Sequence, residues 1–364
     1  MANASFTPEV AAVHEASDPV RLVAAPVVSV VMLAYRHERY LARAIEGILS
    51  QKTEYEYELL IGEDCSPDGT RAIALDFQQA YPERIRVIYS DANVGAFHNS
   101  QRAIRASRGR YIAFCEGDDY WQSPEKLQLQ VNLMESNPEF SACHSDFDRR
   151  IGWRVKKNAH TRHPPRFPAA GAAYPNVLRA WSVMTATVMY RSDLLKEYLN
   201  SEFNRSDFPF GDYTKLLFAS TRGRIGYVPH SLATWRKVKG SASNAGFRSI
   251  LRLRTAALEC REQFISRFPV DKAIEEEAIA LAHKDIMNAA FLAGDIPRYK
   301  ESLRARDALG LRATRKDAWR LFCMKTKAPL VAIRAYKTAL QNLATWDPTL
   351  TLGQLWRRTG NSSR

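Results

Sequence analysis

The chain has 364 residues, 46% of them hydrophobic, enough for one larger domain with a proper core and a smaller second domain. Its formal net charge is +13, and no apolar run approaches the ~18 residues needed to cross a bilayer. Five cysteines, Cys65, Cys115, Cys143, Cys260 and Cys323, are odd in number and widely spaced without a C-x-x-C pair, which argues against a disulfide framework or zinc site and for reduced thiols in a cytoplasmic protein.

Residues 1–25 read as a loose tail, because Glu9, Glu15 and Asp18 interrupt any signal-peptide pattern. Residues 27–35 are continuous, β-branched and bounded by Pro26 and Arg36-His37-Glu38, which predicts a buried strand. Tyr40, Leu41, Ala44, Ile45, Ile48 and Leu49 recur at helical spacing. A second strand over 57–62 ends in Glu63-Asp64-Cys65-Ser66-Pro67-Asp68-Gly69-Thr70, polar turn chemistry that leads into another helix. A third strand over 85–89 closes on Asp91-Ala92-Asn93-Val94-Gly95, and a helix over 97–107 leads to a fourth strand over 111–115. This alternation predicts a mainly parallel sheet covered by helices, with ligands gathered at the carboxyl ends of the strands. Asp64, Asn93 and the acids after residue 115 all fall at those ends.

The fourth strand carries the densest chemistry. It runs directly into Glu116, Asp118 and Asp119, followed by Tyr120 and Trp121. Carboxylates clustered at the end of a buried strand repel one another unless a cation or strong donors compensate. Hard oxygen ligands of this kind suit Mg2+ or Mn2+, and such ions suit a phosphate-bearing ligand. The same acids also fit a helix N-terminus, since Ser123-Pro124-Glu125 opens a helix with Ser123 as its cap.

Residues 156–166 form a basic, proline-bearing loop that reads as a lid following the acidic cluster or as a surface insertion. Residues 185–191 predict a strand returning to the sheet. The eight histidines show no H-E-x-x-H spacing, so His144 and His230 are expected to pack or hydrogen-bond. From about residue 247 the pattern becomes helical, over 250–268, 272–293, 296–309 and 316–342, with breaks at Pro269, Gly294 and Gly310. Pro329 divides the last stretch into two shorter helices. Eleven basic residues against Asp317 and Asp347 place +9 of the net charge from residue 312 onward. With Trp319, Leu321, Phe322, Leu330, Ile333 and Tyr336 interleaved, this region fits an anionic membrane surface or an ordinary solvated helix face. Nucleic acid is not the expected partner, because no DNA- or RNA-binding module surrounds the basic residues.

The ordered set of motifs resembles the inverting GT-A-type glycosyltransferases of family 2, strongly to about residue 147 and more loosely to about 245. Residues 26–41 resemble the family's opening strand and helix, the run from Glu63 to Thr70 its acidic turn, Asn93-Val94-Gly95 its third-strand turn, and Glu-Gly-Asp-Asp-Tyr-Trp its metal-binding element. The fold this implies is α/β and GT-A-like: a mainly parallel, Rossmann-like sheet with helices on both faces, spanning residues 26–247 and followed by a basic helical region over 248–364. The resemblance implies a nucleoside-diphosphate-sugar donor touched by Ala34 and Tyr35 at the base, Asp64 at the pyrimidine imide, Asn93 in the adjoining turn and Asp118 at the ribose. Asp119, with Asp118 and Glu116, would hold the divalent metal.

Physical reasons stand beside these assignments. An imide N–H needs a fixed acceptor, Tyr35 offers a flat face for a base or simply packs, and a divalent ion lowers the barrier to diphosphate departure. No G-x-x-x-x-G-K-[ST] or G-x-G-x-x-G loop is present to cradle phosphates instead. Inverting transfer needs a base on the acceptor side. Asp212, in Phe208-Pro209-Phe210-Gly211-Asp212-Tyr213, resembles the family's acidic residue there; a helix N-cap is its other reading, and Asp207 is the neighbouring competitor. Residues 224–230 and 232–236 resemble the closing strands. In the loop that follows, Val238 stands where a histidine is common, leaving Arg236 or Lys239 to supply the charge.

The expected function is metal-dependent inverting transfer of a sugar, from UDP or dTDP, to a hydroxyl of a glycan or lipid-linked acceptor in polysaccharide biosynthesis, at or near the inner face of the plasma membrane. A sugar nucleotidyltransferase and a non-catalytic glycan- or membrane-binding protein are the alternatives; the first lacks its glycine-rich basic loop here.

Overall fold

The computed structural model describes residues 12–162, 171, 173–179, 183–238, 246–326 and 330–335. In chain order these form β1 (Val13–Ala16), β2 (Val28–Ala34), α1 (Leu41–Leu49), β3 (Tyr57–Glu63), α2 (Thr70–Ala80), β4 (Ile85–Ser90), α3 (Gly95–Ala106), β5 (Tyr111–Phe114), β6 (Tyr120–Trp121) and α4 (Lys126–Ser136). There follow β7 (Phe140–Ile151), β8 (Arg154–Lys156), α5 (Ala159–Arg162), α6 (Tyr174–Arg179), β9 (Met189–Arg191), α7 (Ser192–Leu199), α8 (Asp212–Arg222) and β10 (Arg224–Arg236). Four helices follow, α9 (Phe247–Arg267), α10 (Lys272–Ala293), α11 (Ile296–Ala308) and α12 (Arg315–Thr326), and residues 330–335 are helical beyond them. Two compact units result. The first comprises Met1–Asp148, Lys157–Trp235 and Arg252–Ala282, and the second Arg149–Lys156, Arg236–Leu251 and His283–Arg364.

The sheet runs in the order β1-β4-β3-β2-β5-β9-β7-β10-β6, with β8 paired to β7. Its centre is parallel: Val31 of β2 stands opposite Leu60 of β3 and Phe114 of β5, and Ile61 of β3 opposite Val87 of β4. The apolar runs of β2 and β3 follow from this placement, because a central parallel strand is covered on both faces. Alternate side chains of β2 separate accordingly. Val28, Val30 and Met32 pack with Ile45, Leu59 and Val131, while Val31 packs with Leu60, Ile104 and Ile112. On the far side β9 and β7 run antiparallel, Ile112 facing Tyr190 and Tyr190 facing Ala142.

Several expectations are corrected. Val13–Ala16, inside the supposed tail, is an antiparallel edge strand on β4, with Glu15 opposite Ile88. Glu15 also accepts from Arg86 Nε at 2.8 Å. Residues 185–187 form a 3-10 turn ahead of the short β9, and the two expected closing strands are one, β10. Glu125, not Ser123, precedes α4; Ser123 Oγ accepts the Glu125 N–H at 3.3 Å, within the turn ahead of the helix. Apart from these corrections, the first unit also takes in Arg252–Ala282. Cys260, Phe264 and Ala278 belong to the core that holds Tyr174 and Leu217, and the Phe264 ring stacks on Phe203 with centroids 4.0 Å apart. Burying a side chain of that size contributes roughly 1.5–3 kcal/mol. The 163–166 part of the basic loop, Lys239, and residues 336–342 of the last expected helix lie outside the described residues.

At the amino ends of the parallel strands, Glu58 is fully buried. It accepts from Ser29 Oγ (2.5 Å), the Arg108 backbone N–H (3.0 Å), Arg108 Nε (2.8 Å) and Arg86 Nη1 (3.2 Å). Burial pushes its carboxyl up, but these donors outweigh burial and hold it below the usual range. His144 lies in β7 with its ring 4.9 Å from Tyr227 and 5.1 Å from His160; burial, then His160, pushes it down to about 3. His230 is exposed. All five cysteines are free thiols, four of them buried and Cys65 partly so.

Candidate functional site

The carboxyl ends of β2 to β5 are tied together by loop hydrogen bonds. Arg36 N–H donates to Ser66 Oγ at 3.2 Å, His37 N–H to Thr70 Oγ1 at 2.8 Å, and Gly69 N–H to Glu38 Oε2 at 3.2 Å. Arg36 and Cys65 both adopt left-handed backbone, with φ of 59° and 55°. A non-glycine residue there costs on the order of 1–3 kcal/mol, and both positions lie in the loops that end adjacent central strands.

Ala34 is buried at the end of β2, and Tyr35 beside it is exposed, its ring under the Arg36 guanidinium at 5.2 Å. Asp64 is 2% exposed. Its Oδ1 accepts the Val94 N–H at 2.8 Å and its Oδ2 the Gly95 N–H at 3.0 Å, at the start of α3. Asn93 Nδ2 returns a bond of 2.9 Å to the Asp64 carbonyl. Asp64 and Asn93 thus form one clip across the ends of β3 and β4. Burial pushes the Asp64 carboxyl up despite the two amides. Gly95 allows the tight turn with φ of +82°.

After β5 the backbone stays on β2, with Cys115 N–H on Val31 O and Gly117 N–H on Leu33 O, both at 3.0 Å. The Asp119 N–H turns back onto Glu116 O at 3.0 Å. Gly117 is required by space: a Cβ there would stand 2.7 Å from His37 Nδ1. This turn sets Glu116 and Asp118 in one electrostatic neighbourhood with Asp212. Burial first, then repulsion from Asp118 and Asp212, pushes the Glu116 carboxyl up to about 8, and its Oε2 is enclosed without a hydrogen-bond partner in the protein. Asp119 is 4% exposed.

Asp212 is the first residue of α8; Gly211 holds the N-cap position, so Asp212 is not that cap. Tyr190, Val183 and Leu216 line a small crevice with it. Asp207 is exposed and paired with Arg205, which holds its carboxyl below the usual range. Two neighbours were not foreseen. Lys215, 9% exposed, donates to Gly211 O at 3.0 Å; burial lowers it while Asp212 and Glu116 oppose the shift. Its i, i+3 spacing from Asp212 was a visible signal. His37 is pushed down by burial against Asp118 and Asp68, and nothing in the local sequence marked it. Arg236 ends β10 and belongs to the second unit.

A divalent cation fits this chemistry in a restricted way. The enclosed Glu116 oxygen and the mutual repulsion of the acids would both be relieved by positive charge. The expected trio of Glu116, Asp118 and Asp119 is not a closed ligand set, since no three Asp, Glu, His or Cys side chains converge on one point among the described residues. Ions of the Mg2+ type take one or two carboxylates and complete their shell from phosphates and water. The donor set present is of that open kind.

Residues 29–199 match the family model for glycosyl transferase family 2. An uncharacterized protein of Mycobacterium tuberculosis is 38% identical over 209 residues, 57% of this chain and 58% of that one. The UDP-Glc:alpha-D-GlcNAc-diphosphoundecaprenol beta-1,3-glucosyltransferase WfgD of Escherichia coli is 34% identical over 110 residues, 30% of this chain and 42% of that one. The chain thus spans about half the length of the curated relatives it matches. Among solved structures, the mannosyltransferase PcManGT of Pyrobaculum calidifontis, in complex with GDP-Man and Mn2+, superposes with a TM-score of 0.57 at 17% identity, covering 94% of this chain and 90% of that one. Structural likeness and family match agree: over residues 29–199 the chain is a glycosyl transferase family 2 domain built on the GT-A fold.

Proposed function

We propose that the protein transfers a sugar from a nucleoside-diphosphate sugar, of the UDP or dTDP type, to a hydroxyl of a glycan or lipid-linked acceptor in polysaccharide biosynthesis, with inversion at the anomeric carbon. The observation that carries this reading is that Asp212, on a separate helix, lies within electrostatic reach of Glu116 after β5. One carboxylate is thereby set apart on the wall of a crevice, beside Lys215. The family match and the sugar-nucleotide named in WfgD support the donor class.

In this reading the Ala34–Tyr35 edge and the Asp64–Asn93 clip form the nucleoside end. Each Asp64 oxygen accepts one amide and retains acceptor capacity, since a carboxylate offers about four lone-pair sites. Asp118 lies toward the ribose, and Asp119 with Asp118 or Glu116 holds a divalent ion. That ion, when bound, supplies Lewis-acid neutralisation of the departing diphosphate. Asp212 takes the proton of the acceptor hydroxyl as that oxygen attacks the anomeric carbon from the face opposite the leaving group. Lys215, with its ammonium beside Asp212, favours the ionised form that a base needs.

The test is a thermal-shift panel of nucleotide sugars with Mn2+ and with chelator, on wild type, Asp119→Ala and Asp212→Ala. A cation-dependent shift with one donor, lost in Asp119→Ala and kept in Asp212→Ala, is expected. Turnover should fall in both. A response to no donor, or one indifferent to chelator, overturns the reading.

A further inference from the structure

The outward face of α12 is built unlike a solvated helix. Trp319 is 51% exposed and Phe322 59% exposed, and they lie three residues apart on the same side as Arg315. Lys316 and Lys325 are exposed on either flank of that stripe. The one acid in the helix, Asp317, is turned inward and 5% exposed, accepting from Tyr299 OH at 2.7 Å and from Thr314 N–H and Oγ1 at 2.9 and 2.6 Å. Cys323 and Met324 are buried with it. The outward face therefore carries two large aromatic rings and three cations without a carboxylate. Leu311, just before the helix, is 40% exposed and Val331, after it, 59% exposed.

We propose that α12 docks the protein on an anionic phospholipid surface, lying in the interface with Trp319 and Phe322 inserted between headgroups. Charge selects the surface, because each Lys or Arg held near an anionic leaflet strengthens the association. Two exposed rings would be a solubility liability in water, whereas at a lipid interface their burial is favourable. Exposed aliphatic neighbours favour lipid over nucleic acid, whose bases stack on rings but gain little from Leu or Val. The helix is too short and polar to span the bilayer, so the association is peripheral. This inference does not rest on the glycosyltransferase reading.

The experiment is co-sedimentation of the full chain with phosphatidylcholine vesicles, with and without phosphatidylglycerol. Wild type should partition onto the mixed vesicles and not onto phosphatidylcholine alone. Phe322→Ala should weaken partitioning several-fold and Trp319→Ala/Phe322→Ala by about tenfold or more. Arg315→Glu/Lys316→Glu/Lys325→Glu should weaken it by on the order of 100-fold. Phe322 is mostly exposed, so its variant keeps the test alive if removal of Trp319, whose ring lies 6.1 Å from Phe291, disturbs folding. Equal binding to both vesicle types, no binding, or variants that bind like wild type overturn the proposal. So does protection of Trp319 by self-association in size-exclusion runs without lipid. A chain that binds vesicles but responds to no sugar nucleotide leaves this inference standing and sinks only the proposed activity.

Discussion

Gly117 stands where the acidic turn passes His37, and the contact leaves no room for a methyl group. Gly117→Ala should therefore cost about 1–3 kcal/mol of stability, measurable by denaturant unfolding. It should also weaken the donor-induced thermal shift, because the turn that positions Asp118 and Asp119 must move. At Asp212 the expectation is different. Asp212→Asn keeps volume and polarity while removing basicity, so turnover should fall by roughly 10²- to 10⁴-fold with donor affinity unchanged. A loss of donor affinity in that variant would argue that Asp212 binds donor rather than activating acceptor. Asp64 shows how a residue can be legible in type and not in its partners. Its position after a strand marked it as a site acid, but the amides of Val94 and Gly95 that occupy it come from a loop thirty residues away in sequence.

Among the elements, the parallel strands draw stability from both ends. Their amino ends are fixed by Glu58, whose removal would leave Arg86 and Arg108 without a buried counter-charge. Glu58→Ala should destabilise the fold by roughly 3–5 kcal/mol in equilibrium unfolding, far more than an exposed ion pair would. β7 adds a pH dependence. His144 is held neutral by burial, with its folded value near 3 against an ordinary value of 6.5. Between those two values the unfolded chain binds the extra proton. The contribution of His144 is thus complete above pH 6.5 and is lost progressively as pH falls toward 3. His144→Phe should flatten the fall of melting temperature across that window if packing is kept. The helices and strands of the first half were legible because their hydrophobic periods are long and uninterrupted. β1 was not, since four residues with only alternate partial burial become a strand only when β4 offers an edge to pair.

For the whole molecule, the two units divide charge as well as contacts. The excess positive charge lies toward the C-terminus, on the unit that carries α12, while the clustered acids lie in the first. Salt should separate the two activities. At about 1 M salt, where the Debye length is about 3 Å, vesicle association should be abolished, whereas the largely buried contacts of donor binding should persist in the thermal-shift assay. Helical periodicity reports that a face is apolar and not what it faces. Phe264 of α9 settles beside Phe203, so helices that read as an appendage partly complete the first core.

The sequence by itself determined the alternating strands and helices, the edge at which polar residues gather, and the chemical class of the acidic turn after residue 115. Those are local properties of period, composition and strand ends. Only the tertiary structure decided that Asp212 and Lys215 come within electrostatic reach of Glu116, that Asp64 clips the third turn, that Glu116, Asp118 and Asp119 do not close into one ligand set, and that the single acid of α12 turns inward. Each depends on which distant segment fills the space beside a side chain, and no local pattern encodes that.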